Sequence, residues 1–353
     1  MLHNLHQLQT PGRIVIDLPE ALRGPAHVAK LILRKAEDKA SKPSKAFRYN
    51  EEQLQCIAAM VARLEPAFAE RDGPSQPFIN PAKVLTTAIF DGGGGCCKTD
   101  VLMNVMVPLW RMFFGPEGVL TRAPSNKPAR LLGGTTIHSS QGLSPESSLR
   151  THPLALNLQT RQKMSRTVLD IGAMATDECS QLQGELNHAD ALRMTYARQD
   201  KYGLNPLDYW KPKERHGRIA VSTYWGDHLQ LPPVPASSSM LAPLQGTSNE
   251  HKAGANIFRN ADMVFQFEKM MRFTDKNFIE ILEVMRTPKP GKPLTEVQWK
   301  KLLATDAGAA QPDVPLDWYQ SCYCWSLTNP ASFAWAIRSA REERPMPKLL
   351  THQ

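Results

Sequence analysis

The residues best suited to chemistry stand in one string, Asp91-Gly92-Gly93-Gly94-Gly95-Cys96-Cys97-Lys98-Thr99. The spacing matches G-x-x-x-x-G-K-[ST], except that Cys97 stands where the last glycine is expected. Such a loop turns backbone N–H groups inward around phosphates, and glycines allow an approach and backbone angles that a Cβ would forbid. A helix beginning near Lys98 would add its positive end. Lys98 would reach the β- and γ-phosphates of a nucleotide, and the Thr99 hydroxyl would hold Mg²⁺. Gly92, Gly93, Gly94, Gly95, Cys96, Cys97, Lys98 and Thr99 are therefore the expected nucleotide-binding residues. A Cβ at Cys97 would crowd the phosphates or strain the loop, at about 1–3 kcal/mol.

Two further groups fit the same chemistry. Asp177-Glu178 supplies an aspartate able to orient a Mg²⁺ shell and a glutamate able to polarise an attacking water. The residues before it, Gly172 to Thr176, make a poor strand, so only its position in the chain favours it. The string Gly226-Asp227-His228-Leu229-Gln230-Leu231-Pro232-Pro233-Val234 is more specific. Its prolines fix a loop, and the Gln230 amide can both donate and accept beside a γ-phosphate.

The elements that must position these groups alternate as in a parallel α/β sheet. Val84 to Phe90 reads as a buried strand, the glycines as a loop, and Val101 to Met112 as a helix flawed at Pro108. Arg218 to Trp225 reads as a second strand, and Ala123 to Leu143 as a loop region. Glu51 to Leu64 has apolar residues at helical spacing, and Asn277 to Arg286 reads as a helix. Outside these, Arg13 to Leu18 is a possible strand, Ala26 to Lys39 a basic helix, Lys39 to Lys45 a linker and Gly73 to Pro81 a turn. Pro312 to Gln353 carries Trp318, Tyr319, Tyr323, Trp325 and Trp335, which suit a core better than base stacking.

Composition bounds the rest. The 353 residues are 42% hydrophobic and 22% charged, enough to bury a core, and the net charge of +8 suits a polyanionic partner. The six cysteines form no C-x-x-C pair, which argues against zinc and disulfides and for an intracellular setting. No apolar run reaches membrane-spanning length and no secretory signal opens the chain, so a nuclear or mitochondrial location is expected if the source is eukaryotic.

In order along the chain, the motifs resemble those of the Pif-one-like DNA helicases, superfamily-one motors that run 5′ to 3′ on single strands. The resemblance covers roughly residues 47–290. It takes in Tyr49-Asn50-Glu51-Glu52-Gln53, the phosphate loop, Ala123 to Arg130, Gly133 to Ser139, Asp177-Glu178-Cys179-Ser180, Gly226 to Val234, and Met271-Arg272-Phe273-Thr274-Asp275. The resemblance implies that Gln53 reads adenine. It implies that Ser125, Asn126, Lys127, Thr136 and His138 lie along the DNA strand, and that Arg272 points at the γ-phosphate. Lys98, Glu178, Gln230 and Arg272 would be catalytic, with Thr99 and Asp177 on the metal.

The implied fold is an α/β, RecA-like P-loop NTPase with a parallel sheet flanked by helices, plus an incomplete second lobe. Its divisions would be an extension and linker (1–45), motor lobe one (46–264) and the start of lobe two (265–353). The implied function is ATP-dependent DNA unwinding in repair or recombination, with ATP and Mg²⁺, on single-stranded or forked DNA, by a monomer. Two departures count against full activity: Cys97, and the absence after residue 290 of the family's later T-x-H-x-x-Q-G and arginine motifs. The chain is therefore expected to be a truncated or decayed copy. The alternative is an inactive nucleic-acid-binding remnant. Another P-loop ATPase or nucleotide kinase would not need the Gly226 to Val234 string.

Overall fold

The computed structural model describes residues 49–69, 85–143, 157–212, 214–230, 232–272, 275–286 and 295–298. The elements expected within residues 1–45, the Gly73 to Pro81 turn and the aromatic stretch after Pro312 lie outside them. The chain divides into two compact units, Met1–Ile279 and Glu280–Gln353.

The first unit is built on one sheet with strands β1 (Thr86–Gly92), β2 (Val119–Ala123), β3 (Thr135–Thr136), β4 (Ala173–Thr176), β5 (Val221–Gly226) and β6 (Met263–Phe267). Their order is β3-β2-β4-β5-β1-β6, and the paired strands run parallel. β1 leads across β5 and β4 to β2, so its C-terminal end opens where the strand order reverses. In open parallel sheets that crevice is where ligands bind.

Burial on both faces explains the strand sequences. Every residue of β1, β4 and β5 is buried. On one face, Phe90 stacks on Trp225 with centroids 3.8 Å apart and on Phe265 at 4.9 Å, a row running across β5, β1 and β6. Helices α1 (Glu51–Ala69), α2 (Lys98–Val101) and α3 (Val107–Phe114) close this face with Ile57, Met60, Leu64, Val101 and Trp110. On the other face, Ile89 and Tyr224 pack with Ile137, Leu186 and Phe258.

Further helices among the described residues include α4 (Asn126–Leu131), α5 (Ile137–Ser140), α6 (Leu158–Val168), α7 (Gly184–Tyr202), α8 (Asn249–Arg259) and α9 (Lys276–Arg286). α7 and α8 cross closely. A Cβ on Gly254 would stand 1.9 Å from the Gly184 carbonyl oxygen, so only glycine fits that crossing.

Several elements differ from the expectation. The helix expected over Val101 to Met112 is interrupted by a π-helical turn, Leu102–Met106, with Pro108 in the first turn of α3. Proline has no N–H and its ring would clash with the carbonyl four residues back, at Asn104. A widened turn accommodates it without breaking the helix. The poor strand before Asp177 is in fact β4, buried between β2 and β5. Its small residues fit because both faces are covered, and Gly172 beside it leaves no room for a Cβ against the Phe114 ring, 2.1 Å away.

The region Ala123 to Leu143 is not a loop but contains α4, β3 and α5. Pro128 is tolerated because it lies in the first turn of α4. The strand expected from Arg218 begins at Val221, since Arg218 has a left-handed φ of 61°. Residues 264 and 265, where a boundary is expected, both lie in β6, which pairs with β1 as far as Phe267.

Candidate nucleotide site

Apart from Gln53 in α1, every element expected to touch nucleotide or DNA follows the C-terminal end of a strand on the same edge of the sheet. The phosphate loop follows β1, Ser125 to Lys127 follow β2, and His138 follows β3. Asp177-Glu178 follows β4, Asp227 to Gln230 follow β5, and Arg272 lies shortly after β6. A parallel sheet does this by construction, because all its C-terminal ends point one way.

Within the loop, glycine is required at two points. A Cβ on Gly92 would stand 2.5 Å from the Phe267 carbonyl oxygen, and Gly95 has φ 93°. The Gly95 carbonyl accepts the N–H groups of Met271 and Arg272, each at 3.0 Å. That pins the segment carrying Arg272 against the loop, while the Arg272 residue itself is exposed. Cys97 has φ 59° and ψ 33°, a left-handed backbone carried by a residue with a Cβ, at the start of α2. Of the two expected consequences of cysteine here, backbone strain is the one visible. For an L-residue it costs about 1–2 kcal/mol.

The Lys98 ammonium donates to the carbonyls of Gly92 at 2.5 Å and Gly93 at 3.1 Å, so it lies across the loop. The Thr99 hydroxyl is 3.5 Å from Asp177 Oδ2, which brings the two expected metal ligands together. Glu178 is half-buried with φ 52°, a second strained residue. Burial pushes both the Asp177 and Glu178 carboxyls up, the latter also through the charge of Asp177, while Lys98 pulls both back. Gln230 comes to the loop as well. Its Nε2 lies 3.4 Å from where a Cβ of Gly94 would be.

Gln53 sits differently from a plain base reader. It is fully buried, its Nε2 donates to the Cys96 carbonyl at 3.0 Å, and its Oε1 accepts the Asn50 N–H at 2.9 Å. It ties α1 to the phosphate loop. Ser125, Asn126 and Lys127 are exposed at the start of α4, and His138 is half-buried in α5. Thr136 caps α5 by accepting the Ser139 N–H at 3.1 Å. Burial pulls the His138 imidazole down, against the charge of Asp190.

The sequence names Asp91, Asp227 and His228 within their strings but assigns them no roles. The Asp227 carboxylate accepts the Gly94 N–H at 3.2 Å and the Leu229 N–H at 3.1 Å. An acid directly before the glycine run, and another opening the Gly226 string, were the available signals.

No family model matches the chain. It is 27% identical over 215 residues to the ATP-dependent DNA helicase PIF1 of Saccharomyces cerevisiae (strain YJM789), across 61% of this chain and 23% of that protein. Over that stretch the chain is similar in sequence to PIF1. Among solved structures it resembles the Pif1 helicase from Candida albicans, with a TM-score of 0.55 and 16% identity, across 87% of this chain and 55% of that one. At that identity the likeness speaks for the fold, which is the RecA-like parallel sheet described above. The chain thus spans about a quarter of the curated relative and about half of the solved one.

Proposed function

We propose that this chain is the nucleotide-binding lobe of an ATP-dependent DNA helicase, working in DNA repair or recombination. One observation carries the reading. Lys98, Thr99, Asp177, Glu178 and Gln230, from three separate motifs, meet on one strand-end edge, with the Arg272 backbone hydrogen-bonded to the same loop.

In this reading the loop amides and Lys98 hold the phosphates. The Thr99 hydroxyl and Asp177 carboxylate are hard oxygen donors that suit Mg²⁺, which neutralises phosphate charge when bound. Glu178 orients the attacking water, and Gln230 stands where a γ-phosphate is felt. Exposed Ser125, Asn126 and Lys127, with Thr136 and His138 on the neighbouring elements, form the surface for single-stranded or forked DNA.

The test is titration of a fluorescent ATP analogue with Mg²⁺ against the chain and its Lys98→Ala variant. Saturable binding that is lost in the variant is expected. Equal binding by both would overturn the reading. A forked-duplex assay extends it: strand separation that needs ATP and is lost in Lys98→Ala would carry the reading to unwinding.

A second reading, a nucleic-acid-binding protein without hydrolysis, is favoured by the left-handed Cys97. DNA binding without any nucleotide binding would select it.

A further inference from the structure

Asp91 is the last residue but one of β1 and is buried, and its carboxylate joins β1 to the loop after β5 and to β6. Oδ1 accepts the His228 backbone N–H at 3.0 Å and is 2.8 Å from His228 Nδ1. Oδ2 accepts from Gln266 Nε2, on β6, at 2.9 Å. On its far side the imidazole Nε2 lies 3.8 Å from Cys179 Sγ, directly after Asp177-Glu178. One side chain of the Gly226 string therefore touches the root of the phosphate loop and the turn that carries the acidic pair.

The protons can be assigned by counting donors. Burial would push the Asp91 carboxyl up, but the His228 hydrogen bonds and charge and the Gln266 amide hold it below the usual carboxylate range. It is a carboxylate and accepts only. The Asp91 carboxylate can only accept, so His228 Nδ1 donates to it, and Nε2 lies against the Cys179 thiol, leaving neither ring nitrogen without a partner. The ring also packs 5.4 Å from Phe258. His228 is 4% exposed, so it acts on a nucleotide only through what it holds.

We propose that His228 is a positioning residue. With Asp91 it locks the loop bearing Asp227 and Gln230 onto the phosphate loop and the Asp177-Glu178 turn, so that the three shift together. The lock rests on the nucleotide reading above for its purpose, but not for its existence. A pair that served only the core would stabilise the fold and leave the geometry of the Gly226 loop unaffected.

The test uses His228→Phe, which keeps a ring against Phe258 and removes both nitrogens, and Asp91→Asn, which keeps size and shape. Amide hydrogen exchange is followed at Gly94 and residues 227–230, without nucleotide. Exchange roughly tenfold faster in either folded variant is expected. With Mg²⁺ and ATP, kcat should fall roughly 10- to 100-fold while the affinity for an ATP analogue stays within a few-fold. The double variant should be no worse than the single ones.

Unchanged exchange in a folded variant would overturn the lock. So would equal losses of affinity and kcat that track a fall in Tm, the signature of a merely structural pair. If His228→Phe does not fold, Asp91→Asn carries the same comparison. If the unaltered chain binds no ATP analogue, the nucleotide reading fails by itself, and the exchange data still decide whether His228 holds the loop.

Discussion

Left-handed backbone on residues other than glycine occurs at both edges of the sheet, and the two cases are built differently. At the C-terminal edge stand Cys97 and Glu178, each half-buried beside the loop that would meet a nucleotide. At the opposite edge, just before β5, three successive residues are left-handed: His216, Gly217 and Arg218. That second turn is tightly tied. Arg198 Nε donates to the Gly217 carbonyl at 2.7 Å, Arg218 pairs with Glu214 at 2.6 Å, and His216 Nε2 lies 3.1 Å from the Tyr224 hydroxyl. Similar strain therefore has two meanings. Before β5 it is part of a buried polar scaffold, and at the phosphate loop it faces the chemistry. Strain read from φ alone would not separate them, whereas the partners of each turn do.

The scaffold gives the largest expected effect. The buried Arg198 guanidinium donates to the carbonyls of Val168 at 2.6 Å, Leu169 at 3.0 Å and Ile171 at 2.8 Å, besides Gly217. It thereby caps the end of α6 and fixes the strained turn with one planar fork. Burial pulls its pKa down to about 10, which leaves it charged at neutral pH. Arg198→Met keeps the stem and removes the donors, orphaning several carbonyls, and should lower stability by about 3–5 kcal/mol in denaturant unfolding. A loss under about 1 kcal/mol would mean that the turn holds itself, and the contrast between the two edges would fail.

His216 sharpens the same comparison through pH. Tyr224 donates its hydroxyl proton to Asn187 Oδ1 at 2.9 Å, so its oxygen must accept from His216 Nε2. Burial pulls the imidazole down to about 4; the Asp190 carboxylate pulls the other way, and Arg122 and Arg215 add to the fall. Between the unfolded value near 6.5 and about 4, the unfolded chain binds a proton that the fold does not. Stability from this group is thus complete above about pH 6.5 and is lost as pH falls towards 4, by up to about 3 kcal/mol. His216→Gln should flatten that part of the stability–pH curve. An unchanged slope would show that the protonated ring is accommodated.

The same contrast marks where sequence reading succeeds. The phosphate loop and the Gly226 string are legible because their chemistry is written in consecutive residues, β1 because a short apolar run leads into the glycines, and β5 because it leads directly into the Gly226 string. β4 is not legible, because Ala173–Thr176 is short and its small side chains are buried between β2 and β5 only once the sheet exists. α4 and α5 were hidden by the glycines and proline around them. The buried pair of Arg122 with Asp190, which Thr176 joins at 3.0 Å, links residues 68 apart, and Asp91 with His228 spans 137. No local pattern announces such contacts, since parallel crossovers bring distant residues together only once the sheet exists.

At the other edge, Cys97 offers a smaller effect with a clean control. Cys97→Gly removes the Cβ from a left-handed residue, a gain of about 1–2 kcal/mol partly offset by the greater freedom of glycine when unfolded. A net stabilisation of about 1 kcal/mol is expected. Cys97→Ala keeps the Cβ and should leave stability nearly unchanged, which separates backbone strain from any effect of the thiol near the Gly95 carbonyl. If the ATP-bound loop needs the same left-handed turn, the glycine variant should also bind an ATP analogue more tightly. Equal stability of the alanine and glycine variants would show that position 97 is not strained.

The smallest effect concerns the exposed start of α4, where the comparison passes from backbone strain to surface charge. Lys127 follows β2 on the edge that carries the phosphate loop and is exposed. If it meets a DNA phosphate, it releases a counterion, and log Kd should depend on log salt with about one unit of slope per contact, somewhat less on single strands. Lys127→Ala should then weaken single-stranded DNA binding a few-fold at low salt, reduce the slope by roughly 0.7, and do so alike for different base sequences. The control is Lys211→Ala. Lys211 is exposed and already paired with Asp208 at 2.9 Å in the segment between α7 and β5. If both substitutions lower the slope equally, the net charge of the chain rather than the strand-end surface would be attracting DNA. A change at Lys127 alone places the strand on the edge where the nucleotide groups gather, as coupling of hydrolysis to strand movement requires.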